Sequence, residues 1–228
     1  MNTSVQLLLP WELVDTRQPV SVRLAADAAR AIVTRAYEPG RLLVEAELAS
    51  AAGVSRTPAR EAMLLLETWG LVRLLPKKGA IVTTVTPEER RDLLDIRMLF
   101  EITAVERMPR DRGALAGLSD ALNGTIARQR AALAAQDLLA FASADYAFHA
   151  QIILRSGNRM IAALLETLGP RFTRLTHLAV TDAPGRVPTF LREHEALAES
   201  ARQGDGPQFA ALIRQHIGDG HVDAAAPQ

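Results

Sequence analysis

The sequence predicts a mainly α-helical chain with one short β-hairpin, divided into two parts. Apolar residues recur at three-four spacing through most of residues 25–218, as amphipathic helices require. Two adjacent β-prone runs lie at 71–85. At Thr86-Pro87-Glu88-Glu89 a Thr cap, a Pro at the first helical position and a Glu three residues after the Thr start a helix, and only helical patterns follow.

The first helix carries Ala25, Ala28, Ala29, Ile32, Val33 and Ala36 on one stripe and is stopped by Pro39-Gly40. A shorter helical segment, Val44 to Ala52, ends at Gly53. A third runs from about Arg56 to Trp69, with Pro58 in its tolerant first turn, Ser55 or Thr57 as cap and Gly70 as stop. Leu71–Leu75 and Ala80–Val85 then read as a hairpin around a four-residue turn, Pro76-Lys77-Lys78-Gly79, whose tip is basic. Beyond the boundary at 86, helices are expected at 87–108, 113–135, 137–155, 158–180, 188–203 and 206–218, an antiparallel bundle with short links. The expected organisation is therefore an arm (1–20), a hairpin-bearing domain (21–85), a helical domain (86–218) and a tail (219–228), with the arm and tail loosely held.

Composition removes several function classes. With no cysteine, disulfides, thiol catalysis and Cys-ligated metals are excluded, leaving His and carboxylates as possible ligands. No apolar run approaches the roughly 18 residues a membrane helix needs, and Met1-Asn2-Thr3-Ser4 lacks the basic region of a secretory signal, so a cytoplasmic protein without membrane contact is expected. Net charge is zero, yet it is unevenly spread: residues 21–85 hold nine basic against six acidic groups, while 86–228 hold sixteen against eighteen.

Three helices followed by a hairpin is the order of a winged helix-turn-helix, whose third helix enters the major groove of DNA while the hairpin reaches flanking backbone. Arg56 and Arg60, four apart, share one face of that helix; Ala59, Ala62, Met63 and Leu66 occupy the opposite, core-facing side. Ser55 and Thr57 can donate to phosphates, and an arginine can read guanine edges. Two arginines alone would be ordinary solvated groups. The short second helix, the Gly53 turn and the Lys77-Lys78 tip, in that order, point to double-stranded DNA.

In the helical domain, Asp145 and His149 interrupt the inward stripe of Phe141, Phe148 and Ile152. His194 falls among Leu191, Leu197 and Ala198, and His216 among Phe209, Leu212 and Ile213, whereas His177 lies off its stripe and His221 follows the last helix. A lone inward histidine is usually a hydrogen-bonded core residue. Four inward ionisable groups on three helices instead need a shared compensating charge, and three imidazoles with one carboxylate suit a divalent ion, zinc or a harder transition metal such as nickel or manganese.

Pro39-Gly40-Arg41-Leu42-Leu43, Glu47-Leu48-Ala49, Gly53-Val54-Ser55-Arg56-Thr57-Pro58-Ala59-Arg60-Glu61-Ala62 and Lys77-Lys78-Gly79 resemble the GntR family of bacterial transcription regulators, and the helical remainder resembles its FCD effector-binding domain, so the likeness spans 21 to about 218. The resemblance implies that Ser55, Arg56, Thr57, Arg60 and Gly79 touch operator DNA, to which the basic tip adds Lys78; Ala46 departs from relatives that carry an arginine there. It also implies metal binding by Asp145, His149, His194 and His216, and a pocket-facing role for Arg97 toward a small carboxylate effector. The rival reading of Arg97 is a surface salt bridge with Glu101. Asn158 reads as a helix cap after Gly157.

The function expected is a metabolite-responsive regulator, a homodimer on a palindromic operator, repressing until an organic acid binds at a metal-centred pocket. Two alternatives stand beside it. One is a metal-dependent hydrolase with a DNA-binding appendage, disfavoured because no extra carboxylate stands out on the inner stripe as general base. The other is a regulator for which the metal itself is the effector.

Overall fold

The computed structural model describes residues 8–13, 17–108 and 111–221. Its element order is α1 (Val20–Val33), β1 (Leu42–Leu43), α2 (Glu45–Ala51), α3 (Arg56–Thr68), β2 (Val72–Leu75), β3 (Gly79–Val82), α4 (Pro87–Arg107), α5 (Arg112–Ala134), α6 (Leu138–Leu154), α7 (Arg159–Asp182), α8 (Val187–Gln203) and α9 (Gly206–His221). The described residues form two compact units: 8–85 together with 166–174, and 86–165 together with 175–221. Among them no helix is long and apolar enough to cross a membrane.

In the first unit α1, α2 and α3 enclose a core of small and aliphatic side chains, among them Ala25, Ala29, Ile32, Leu48, Ala59, Ala62, Met63 and Leu66. Alanine at the contacts between α1 and α3 lets the helix backbones approach closely, and Met63 and Leu66 fill what remains. The turn from α2 to α3 passes through Gly53 at φ +66°, a conformation that costs glycine nothing.

Four sequence expectations change here. The hairpin turn is three residues, Pro76–Lys78, because Gly79 pairs with Leu75 as the first residue of β3, and β3 ends at Val82 instead of Val85. A third strand joins the hairpin: Leu42↔Ile81 and Leu43↔Ala80 pair antiparallel, giving the order β1-β3-β2. Two consecutive leucines gave no alternation from which this strand could be read. Helix α1 starts earlier than the apolar stripe suggested and stops at Val33, three residues before Ala36, where Arg35 takes φ +61°.

The expected loose arm is partly docked. Leu9 is buried, Pro10–Glu12 form a 3-10 turn closed by the Glu12 carboxylate accepting from the Leu9 N–H, and Trp11 packs on the core of the first unit. Residues 1–7 and 14–16 of the arm, the Pro109 break and the tail beyond 221 lie outside the described residues.

The second unit is the expected set of helices. Thr86 caps α4 by accepting from the Glu89 N–H at 3.1 Å, and Asp111 and Asp137 cap α5 and α6 likewise. Asn158 caps α7, its Oδ1 accepting from the N–H groups of Met160 and Ile161. Helix α5 packs on α6 and α8, α8 on α9, and α4 on both α6 and α9, so α6 is walled in. Twelve of its seventeen residues are buried, which is why its sequence is apolar nearly all round. Helix α9 runs to His221, so that histidine closes the helix instead of following it.

Candidate functional site

Two sites emerge, one in each unit. In the first, α3 buries Ala59, Ala62, Met63 and Leu66 and leaves Ser55, Arg56, Thr57 and Arg60 exposed. Ser55 stands at the N-cap of α3 but makes no side-chain cap bond. A groove of about 580 Å³ lies between α3 and the hairpin, rimmed by Arg56, Arg60, Lys77 and Lys78 over an apolar floor that includes Met63 and Leu74. Four cations around one groove suit a polyanion. Gly79 at its edge has a backbone reason to be glycine: its φ is +109°, and a Cβ would sit 2.2 Å from the Leu43 carbonyl oxygen.

In the second unit Asp145, His149, His194 and His216 come together, one donor atom from each within 4.8 Å of the others, every residue no more than 2% exposed. His149 Nε2 lies 3.1 Å from His194 Nε2, and Asp145 Oδ1 lies 3.3 Å from His194 Nε2 and 3.9 Å from His149 Nε2. Donors about 2.0–2.2 Å from a common ion are roughly 3.3–3.6 Å apart at tetrahedral corners and about 3 Å at adjacent octahedral ones. The 3.1 and 3.3 Å separations fall in these ranges and the 3.9 Å one lies a few tenths of an ångström beyond them, so the donor set suits a divalent ion once the side chains draw in slightly.

Hydrogen bonding at the far side of each ligand supports this. Each imidazole uses Nδ1 outward: His149 to Glu101 Oε2 at 2.8 Å, His194 to Gln129 Oε1 at 2.9 Å and His216 to Glu193 Oε2 at 2.7 Å. Where the partner is an ionised carboxylate, which only accepts, Nδ1 carries the proton and Nε2 is left as a lone pair. Asp145 is divided in the same way. Its Oδ2 accepts from Thr176 Oγ1 at 2.8 Å and from Arg97 Nη2 at 3.4 Å, leaving Oδ1 toward the imidazoles. Lone pairs aimed at one point, each held by an outer partner, are the arrangement that fixes metal-ligating side chains.

The electrostatics follow from burial. Removal from water pushes His194 well below the usual imidazole value, so it is a neutral donor near pH 7. Burial alone would raise Asp145, but Arg97 and the three imidazoles hold it well below the usual carboxylate range, keeping it anionic. Glu101, with no exposure at all, is pushed up to about 7 by burial, against the opposing pull of Arg97.

The Arg97–Glu101 pair forms, with Nε to Oε1 at 3.2 Å, but it is a buried bridge and not a surface one, and Arg97 reaches Asp145 as well. His177 is buried on α7, next to Thr181 and outside the four-residue cluster. Sequence reading also passed over a buried carboxylate near the site, because Glu101 lies outside the stripe of α6. It is committed to His149 Nδ1, behind the ligand, and so is not placed as a general base for water at an ion. Its four-residue spacing from Arg97 was the available signal; for Glu193 it was adjacency to His194, and for Gln129 and Thr176 none stood out.

A winged helix-turn-helix with a cation-rimmed groove, followed in the same chain by a helical domain holding an internal ligand cluster, defines a DNA-binding transcription regulator with a sensing domain. The chain belongs to the GntR family of bacterial regulatory proteins: the gntR-family domain matches residues 21–82 and the FCD domain residues 92–219. It is 36% identical over 128 residues to an HTH-type transcriptional regulator of Agrobacterium vitis, covering 54% of this chain and 72% of that one. It is 28% identical over 170 residues to the gluconate operon transcriptional repressor of Bacillus licheniformis, covering 75% and 68%. A GntR transcriptional regulator of Rhodococcus sp. RHA1 has the same fold, with a TM-score of 0.72 at 21% identity over 90% of this chain and 96% of that one. GntR regulators bind operator DNA and take small-molecule effectors through the FCD domain, so the protein is a transcription regulator and the hydrolase reading is set aside.

Proposed function

We propose that this regulator works as a homodimer on a palindromic operator, with a divalent ion, zinc by preference and nickel or manganese as alternatives, held by Asp145, His149, His194 and His216. One observation carries the reading: a donor atom from each of three imidazoles and one carboxylate lies within 4.8 Å of the others, and each of the four side chains is braced from behind. A bound ion would offer remaining coordination positions to a small carboxylate. Arg97, beside Asp145, supplies the positive charge such an effector faces.

On DNA, Arg56 and Arg60 enter the major groove, Ser55 and Thr57 hold phosphates, and Lys78 with the Gly79 turn reaches the flanking backbone. The name of the Bacillus licheniformis relative supports repression as the sign, and gluconate is itself a hydroxy carboxylate. Effector binding then shifts operator affinity only by its differential affinity for the two states.

The test is selection of bound sequences from a random duplex pool by the purified protein at moderate salt, with and without metal. A short palindrome should be enriched, and Arg60→Ala should weaken binding to it by about 1 to 3 kcal/mol. Failure to enrich any sequence in either condition overturns the dimer-on-palindrome reading. Abolition of binding by chelation alone, with no effect of any small carboxylate, would make the metal itself the effector.

A further inference from the structure

The four ligands are closed off from water, so an ion can exchange only along some route through the side chains around them. The braces differ sharply in exposure. Arg97, Glu101, Gln129 and Thr176 are each at most 2% exposed, whereas the Glu193 side chain is 23% exposed. Glu193 lies on α8 immediately before His194 and donates no proton of its own; as a carboxylate it accepts from His216 Nδ1 on α9 at 2.7 Å, so one side chain spans from the surface to a ligand.

A surface depression of about 230 Å³ opens at this pair, between α8 and α9. Its lining includes Glu193 and His216, with Ala196, Leu212 and Gln215 around them. Arg192 also borders it, with Nη2 turned to Thr189 Oγ1 at 2.9 Å. His216 is thus a ligand that lines an open depression, and Glu193 a part-exposed carboxylate beside it. An anionic oxygen at the mouth is suited to hold a hydrated cation, and the His216 ring beside it, with Nδ1 turned to Glu193 and Nε2 turned inward, is the side chain the ion passes to reach the cluster.

Resting on the metal reading above, we propose that the α8–α9 depression is the exchange port of the buried site, with Glu193 as its capture carboxylate and His216 as the first ligand reached. A residue that lies on the route without ligating changes the rates in and out by the same factor, so the equilibrium constant is unchanged. Damage to the ligand set changes the equilibrium constant. This difference separates a port from a merely structural element.

The experiment uses the full chain stripped of metal. Zinc loading is followed by stopped flow, zinc release into a chromophoric chelator, and affinity by competition with the same chelator. Ala196→Phe and Gln215→Trp, both at exposed positions, narrow the depression from opposite helices. Each should slow loading and release tenfold or more, with affinity held within about twofold. Glu193→Gln keeps an acceptor oxygen for His216 but removes the charge, and should slow loading about fivefold or more. Glu195→Gln, on the same helix and paired with Arg130, should load like the parent. Parent-like rates in both narrowed variants overturn the port, and parent-like loading in Glu193→Gln overturns the capture role. A parent protein that takes up no zinc overturns the metal reading and the port with it.

Discussion

Replacing Gly79 by alanine is expected to disable the hairpin and, through it, DNA binding. At φ +109° an L side chain is strained by about 1–2 kcal/mol before any contact is considered. The added Cβ then meets backbone on every near side: the Leu43 carbonyl oxygen at 2.2 Å, its carbon at 3.2 Å and Val44 Cα at 3.3 Å. No rotamer relieves a clash with backbone, so β1 must move by about 1 Å. That movement pulls apart the Leu43↔Ala80 and Leu42↔Ile81 pairing, whose hydrogen bonds contribute about 1 kcal/mol each. The sum is about 3–4 kcal/mol, a large share of the 5–15 kcal/mol typical of a whole domain. A unit of this size loses roughly 4–8 °C per kcal/mol, so its melting should fall by more than about 10 °C. Thermal unfolding followed by circular dichroism, with operator titration alongside, reads both effects. Lys78→Ala is the control: it should melt like the parent and lose one phosphate contact, lowering the salt slope by about one. A Gly79→Ala protein that melts within about 2 °C of the parent would refute the reasoning, since the clash and the positive φ both require a cost.

Two further outcomes concern the helical domain. His194→Ala should lower metal content and abolish the effector response while the first unit still unfolds as in the parent; full metal occupancy measured after gel filtration would show the ligand set to be wrong. Glu101 should leave a pH signature in metal-free protein. Its folded pKa of about 7 stands above the ordinary carboxylate value of 4.5, so the folded state holds the proton more tightly, and its contribution to stability falls as pH rises between those values. At about 1.4 kcal/mol per pH unit the fall totals about 3 kcal/mol. Glu101→Gln does not titrate, so its stability relative to the parent should rise by up to that amount from pH 5 to pH 8 in denaturant melts; a pH-independent difference would show that Glu101 is not held as described.

Much of the protein was legible along the chain because the governing interactions are local. A Thr-Pro-Glu-Glu start, an Asn after Gly157 and a glycine between two short helices act within one turn of backbone, and each cap and turn formed where its residues stand. Helical phase alone placed Asp145 and His149 on one face, four residues apart, and turned Arg56 and Arg60 away from Ala59, Ala62, Met63 and Leu66. The same periodicity found the inward His194 and His216.

What only the folded chain decided are the pairings between distant residues. Strand β1 is too short to show a pattern, and it exists because β3 offers an edge almost forty residues later. Glu101 is 48 residues from His149 and Gln129 is 65 from His194, separations at which no periodicity carries information. The meaning of Arg97 changed for the same reason. Its four-residue spacing from Glu101 describes a surface salt bridge equally well, and burial between α4 and α6 made it a brace for Asp145. Which ionisable side chains enter the buried cluster was set by which side of each helix faces inward, which the sequence encodes directly. The bracing of those ligands, and the exposure of Glu193 beside them, depend on how six helices meet, because a hydrogen bond reaches only about 3 Å and its partners are chosen in space.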